Sequence, residues 1–176
     1  MRNLIIILVC FIISPVFSQS WQIREGAEVT FSGKKAEGSF QGLAGTIQFN
    51  PDELDQAKFD VNLDASSIET GNNTKNKHAR SENWFFVKEY PKIHFSSTSV
   101  IKTFDGYLLT GTLELRGIKK TLSFPFSFSD SGDAGEFSGS FRINRKDFGI
   151  EGNFMEFMVG DEFEVKVRVP VSQIVD

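Results

Sequence analysis

The sequence predicts an all-β chain whose strands, about eight in number, close into an antiparallel barrel under a short helical lid. Three observations carry this expectation. Apolar and polar residues alternate with period two from one end of the chain to the other, the signature of half-buried antiparallel strands. Turn-forming pairs stand between successive alternating runs, so consecutive strands are neighbours. The chain of 176 residues holds 19 phenylalanines against 2 tryptophans and 2 tyrosines. Most of those rings fall at alternating positions, where they must enclose something.

Taken in order, residues 1–18 read as a secretory signal peptide. Met1-Arg2-Asn3 leads into the apolar run Leu4 to Ile13, too short for a bilayer span of about 20 residues. Val16-Phe17-Ser18 before Gln19 offers a peptidase cleavage site. Residues 19–176 are then expected to form a single domain, periplasmic or secreted, without a transmembrane segment. The one cysteine, Cys10, leaves with the signal, so the exported chain relies on burial alone and has no disulfide or thiolate. The formal charge of −4 grows more negative when Arg2 is removed, and neither sign forms long blocks. Phosphate binding needs a basic stripe, which excludes nucleic acid as a partner.

The strands follow. Alternation marks Val29-Thr30-Phe31, Phe40 through Phe49, Phe59 through Leu63, and Ile93-His94-Phe95. It returns in Leu113-Glu114-Leu115, Phe124 through Phe128, and Phe137 through Phe141. The plainest case is "FEVKVRVPV", in which Phe163, Val165, Val167, Val169 and Val171 face one way and Glu164, Lys166 and Arg168 the other. Asp105-Gly106, Gly117 to Lys120, and Ser131-Gly132-Asp133 supply reversals. Gly42, Gly45, Gly111 and Gly139 lie inside strands and mark bends or bulges that curl the sheet.

Two segments break the alternation. Ala65 to Pro91 carries Ser66 and Glu69 at capping-box spacing, then Asn72-Asn73-Thr74 before a helix-compatible run to Trp84. Asn144 to Asp161 carries Phe148, Phe154, Met155, Phe157 and Met158. Loops of this length in a compact domain are lids or binding loops.

Few residues point to chemistry, and none is assigned a catalytic role. His78 and His94 are the only imidazoles; His94 alternates outward between Ile93 and Phe95, and no ligand spacing for a metal is present. His78 reads as a polar lid residue. Asp52/Glu53 and Asp161/Glu162 are solvated pairs at strand ends. Arg142 and Arg145 read as strand-end ion pairs or as a cationic rim meeting a ligand head group. The phenylalanines read either as a dry core or as the lining of a cavity. The Phe- and Met-rich loops favour the cavity, since they suffice to close the ends of an apolar tunnel.

Several stretches together resemble the YceI-like family. They are "VNLDASSIETGN", "NKHARSENWFFVKEYPKIHFSSTSV", "GYLLTGTLELRGIKKTLSFPFSF", "FRINRKDFGIEG" and "VGDEFEVKVRVPV", in that order over most of residues 19–176. The family's His-Leu pair is here His78-Ala79, which removes an apolar contact from the lid. Trp84-Phe85-Phe86 fills the aromatic place.

The resemblance implies a lipocalin-like barrel that binds a long apolar ligand, an isoprenoid, isoprenoid quinone or fatty amide, and no enzymatic activity or required cofactor. The inward strand residues Phe31, Phe49, Phe59, Val61, Phe95, Leu113, Leu115, Phe126 and Phe141 are expected to line its tunnel. Trp84, Phe85 and Phe86 from the lid and Phe148, Phe154 and Phe157 from the second loop join them. His78, Arg142 and Arg145 would form the polar rim, and Asn144, Asp147 and Gly149 complete the second matching loop. Two other functions fit the sequence: an envelope interaction protein with a dry core and a protein partner on its outer face, and an enzyme acting on bound lipid through His78. The sequence leaves pairing with a second copy open.

Overall fold

The computed structural model describes residues 19–152 and 158–174. The segment read as a signal peptide lies outside these residues, as do Phe154, Met155 and Phe157. The order is β1 (Ser20–Ile23), β2 (Glu28–Gly33), β3 (Ala36–Phe40), β4 (Leu43–Gln48), β5 (Lys58–Asp64), α1 (Asn73–Ala79), β6 (Lys92–Thr103), β7 (Gly106–Leu115), β8 (Ile118–Asp130), β9 (Ala134–Asn144) and β10 (Glu162–Gln173).

All ten strands belong to one antiparallel sheet, and β10 returns to pair with β1. The ten segments amount to eight staves. β1 and β2 lie in succession along β10, Trp21 opposite Gln173 and Val29 opposite Val167. β3 pairs with β2, and β4 with β1 and β5. The break between β3 and β4 falls at Gly42, whose φ of 73° is open to glycine at little cost. The Ser67 hydroxyl fills that break, accepting from Gln41 N and donating to Gln41 O. Closure removes the free edges that an open sheet would expose.

The turns alternate between two ends. One end is closed by a core of Trp21, Phe49, Phe126, Phe137 and Val171, in which Trp21 is 1% exposed and Val171 0%. Trp21 Nε1 donates to Phe49 O at 2.9 Å, so the indole is buried with its one polar group satisfied. The other end carries α1, the segment leading from it to β6, the β7–β8 turn and the β9–β10 connection.

Hairpin chemistry differs in detail from the sequence reading. The β6–β7 turn is Phe104-Asp105, since Thr103 pairs with Gly106. Phe104 therefore sits at the tip, fully exposed. At β7–β8 the two turn residues are Arg116 and Gly117, both at positive φ as a tight mirror-image turn requires. The lid contains one short α-helix, capped by the Asn72 side chain accepting from Thr74 N and Lys75 N. Ser66 and Glu69 do not form a capping box. Ser66 instead lies within a 3-10 turn (Ala65–Ser67) capped by Asp64, whose side chain accepts from Ser66 N, and Glu69 bonds Gly71 N and Asn76.

Inward glycines hold phenylalanine rings flat against the wall. A Cβ on Gly111 would stand 2.5 Å from the Phe95 ring, and one on Gly38 2.8 Å from Phe31. One on Gly139 would stand 3.3 Å from Phe124. Each glycine cedes its side-chain volume to a ring on the neighbouring strand, and the lumen beyond stays open.

One part of the wall lacks backbone pairing. The β8–β9 ladder joins Phe126–Asp130 to Gly135–Gly139 and stops there. Ile118–Pro125 pair with β7 only and Ser140–Asn144 with β10 only. Pro125 stands at the stopping point, where it brings no amide hydrogen to the next rung.

Candidate ligand-binding cavity

Above the aromatic core of the closed end, the barrel encloses a cavity of about 870 Å³, within the range of ~300–1,000 Å³ common to small-molecule sites. Its floor is Phe59, Phe126, Phe137, Leu109 and Val169; Val61, Phe95, Leu113, Phe141, Val165 and Val167 line its wall. Trp84, Phe85, Ile68 and Ile150 cover it from the lid end. Polar lining gathers at one mouth, from Lys35 of the β2–β3 turn, Glu37 of β3, Thr70 ahead of α1, and Lys75 and His78 of α1.

The structure brings most sequence-predicted residues to this cavity: Phe31, Phe59, Val61, Trp84, Phe85, Phe95, Leu113, Leu115, Phe126 and Phe141, with His78 and Arg145 among the polar lining. Four others lie elsewhere. Phe49 is the hub of the closed end, 1% exposed, with its ring against Phe59, Tyr107, Phe126, Phe128 and Phe137. Phe86 sits at φ 46°, which turns its ring away from the lumen and onto Tyr90. Phe148 is buried with Leu113, Leu115 and Ile150 at the margin of the lid. Arg142 is exposed on the outer face, opposite Glu164.

Residues not anticipated as lining include Phe40, Phe124, Phe137, Phe163 and Val165. Strand alternation was the signal for each. The same periodicity that selected Phe126 and Phe141 puts Phe124, Phe137 and Phe163 on the inner face.

Arg145 organises the second loop. Its guanidinium is 7% exposed and forms an ion pair with Asp161 Oδ1 at 2.8 Å. It also donates through Nη1 to Ile150 O at 2.6 Å and through Nε to Gly160 O at 3.1 Å. The Trp84 ring lies against its other side, 5.4 Å from guanidinium carbon to centroid. One cation thus ties both sides of the β9–β10 connection to the lid tryptophan. The Lys146 ammonium, 2.8 Å from Asp161 Oδ2, and then Arg145 hold the Asp161 carboxyl below its usual pKa.

Asn76 does the same for α1. The side chain is buried, accepts from Thr70 N and Thr70 Oγ1, both at 2.7 Å, and donates to Glu69 Oε2. Hydrogen bonds from Asn76 and then from Gly71 N push the Glu69 carboxyl below its usual pKa. Arg116 joins the remaining pieces, donating to Gly149 O and Glu82 O. The ion pair of Arg145 was anticipated from the sequence, but the carbonyl partners of Arg145 and Arg116 and the Glu69 partner of Asn76 were not, because they come from other segments of the chain.

Ala79, where the family pattern has leucine, lines the cavity, so the smaller side chain leaves space at the mouth. His94 lies on the outer face, 3.0 Å from Asp60 Oδ1. Among the described residues no three His, Cys, Asp or Glu side chains converge to hold a metal, and no helix is long and apolar enough to cross a membrane.

Comparison with known proteins agrees with this geometry. The family described as YceI-like domain matches residues 21–171. A UPF0312 protein of Pectobacterium atrosepticum is 32% identical over 119 residues, 64% of this chain and 62% of its own. Protein YceI of Salmonella arizonae is 32% identical over 120 residues, with the same coverage of 64% and 62%. The matched region thus spans less than two thirds of these relatives' length. Among solved structures, Burkholderia cenocepacia BcnA superposes with a TM-score of 0.76 at 24% identity, covering 82% of this chain and 95% of its own. A polyisoprenoid binding domain from Saccharophagus degradans, implicated in plant cell wall breakdown, gives a TM-score of 0.66 at 14% identity, covering 89% and 99%. At such identities the likeness establishes a shared fold.

Proposed function

From the premise that this chain belongs to the YceI-like family, we propose that it is an exported binding protein that carries one long apolar ligand inside its barrel. The ligand class is an isoprenoid, an isoprenoid quinone or a fatty amide. The observation that carries the reading is the cavity: about 870 Å³ of lumen, walled by Phe, Leu and Val, with charged groups gathered at its mouth and lid. Such a space rewards chain length, at about 0.8 kcal/mol for each CH₂ removed from water. It rewards few directional contacts, so discrimination between chains differing by a methylene or two is weak.

The reading is of a binding protein and not an enzyme. His78 lines the mouth beside Lys35, Glu37, Thr70 and Lys75, and the apolar lumen beneath supports holding a chain rather than transforming it. Export through an N-terminal signal peptide cleaved after Ser18 belongs to the same proposal.

The test is native mass spectrometry of the chain expressed with its N-terminal segment intact and purified without detergent, followed by organic extraction. Cleavage at Ser18–Gln19 and one stoichiometric long-chain apolar molecule are the expected results. A mass that stays free of ligand after incubation with isoprenoids, quinones and fatty amides would overturn the carrier reading in favour of a protein partner on the outer face.

A further inference from the structure

We propose that the mouth end of the barrel docks onto an anionic lipid surface. Lys35 of the β2–β3 turn and Lys75 of α1 line the cavity at its polar end, and Lys34 and Lys77 flank them in the same elements. All four are exposed, and among the described residues none has an ion-pair or hydrogen-bond partner for its ammonium group. They stand at the rim of an apolar space beside Glu37, the one carboxylate among the described residues that line it, while the exposed carboxylates of Glu69, Glu82, Glu89 and Glu162 lie elsewhere on the same end.

The lid end carries charges of both signs, whereas the opposite end is acidic. Asp52, Asp55, Asp105, Asp130 and Asp133 are exposed in the three turns that close the barrel floor. The chain as a whole is acidic, −4, and a uniformly acidic surface is repelled by an anionic membrane. Separation of charge along the barrel leaves one favourable orientation, mouth toward the lipid.

An acidic protein would complement the same lysines. The lipid surface is the better occupant because it matches both features of the mouth at once: anionic head groups for the lysines and, just beneath, apolar chains of the kind the cavity is built to hold. This choice between lipid and protein rests on the carrier reading; the charge argument does not. Each lysine near an anionic surface contributes roughly a fivefold change in partitioning, and salt screens it within about a Debye length.

The experiment is co-sedimentation of the full chain with vesicles of phosphatidylcholine alone and of phosphatidylcholine mixed with phosphatidylglycerol, at low and high salt. Binding is expected only to the mixed vesicles and only at low to moderate salt. The variant Lys34→Glu/Lys75→Glu/Lys77→Glu should lower the bound fraction at least tenfold. The charge-matched variant Lys58→Glu/Lys102→Glu/Lys166→Glu, on the wall and floor, should keep most of it. Equal loss in both variants, or no binding to mixed vesicles, would overturn the proposal, the latter pointing to an acidic protein instead. Circular dichroism confirms that each variant is folded. Ligand content, read separately by native mass spectrometry, distinguishes failure of docking from failure of the carrier reading.

Discussion

The rings of Phe124 and Phe141 lie 4.8 Å apart between centroids, across the one stretch where the strands carrying them exchange no ladder bonds. Side chains alone close the barrel wall here. Phe124 is buried and Phe141 half-buried, with Leu122 and Ile143 beside them on the inner face.

Phe141→Ala should therefore make the cavity leak. The expected outcome is faster release of a bound apolar fluorophore, with a stability loss below the ~3–5 kcal/mol of a phenylalanine deleted from a close-packed core. Stopped-flow displacement read beside urea denaturation checks both. An unchanged release rate would mean that the seam is never an exit.

Gly111→Ala tests the way the lumen is kept open. Its Cβ would fall 2.5 Å from the Phe95 ring and 2.5 Å from Ser96 O, so ring or strand must move. Overpacking of this kind costs about 1–3 kcal/mol. The displaced ring is expected to enter the cavity, so binding should weaken more for long ligands than for short ones in a chain-length series.

Arg145→Met removes the donor shared by Ile150 O, Gly160 O and Asp161. A loss of about 2–4 kcal/mol is expected from the stranded acceptors, measured by thermal or urea unfolding.

Protonating Asp161 should loosen the same latch. Its carboxyl titrates below its unfolded value, so its contribution is complete above pH ~4 and is lost as pH falls through the lower folded pKa. Wild-type stability minus that of Asp161→Asn, followed from neutral to acid pH, should shrink only in that acid range. A difference that is flat down to the lowest folded pH would remove the carboxylate from the latch.

The two tryptophans should separate folding from retention. Trp21→Phe deletes the Nε1 bond to Phe49 O in the closed end and is expected to cost about 1–3 kcal/mol with ligand binding intact. Trp84→Ala removes a cavity wall and the ring against Arg145, and should weaken retention more than stability. Equal losses of both in Trp84→Ala would make it a core residue.

Much of the barrel was legible in the sequence because strand burial is a local signal. Whether Val165 or Glu164 faces inward is decided by alternation along one chain, and "FEVKVRVPV" states it outright. The lid and the second loop announced themselves as interruptions of the same rhythm.

What each inward residue touches is not local. Phe49 and Phe126 look alike in sequence, yet the height at which β4 ends makes Phe49 the plug of the floor, while Phe126 reaches the cavity above it. Gly111 and Gly139 read as bends or bulges, and the β6–β7 register does shift between Ser97 and Ser99, beside Gly111. Cross-strand register also makes them recesses for Phe95 and Phe124, because only the offset between neighbouring strands decides which ring lies over which glycine. Arg145, read as a strand-end ion pair or a cationic rim, does pair with Asp161, but only the fold brings the Ile150 and Gly160 carbonyls to the same guanidinium, as it brings Glu69 to Asn76. Periodicity thus determined that the protein has an apolar inside. Register and closure, which depend on strands far apart in the chain, decided that this inside is hollow at one end and solid at the other.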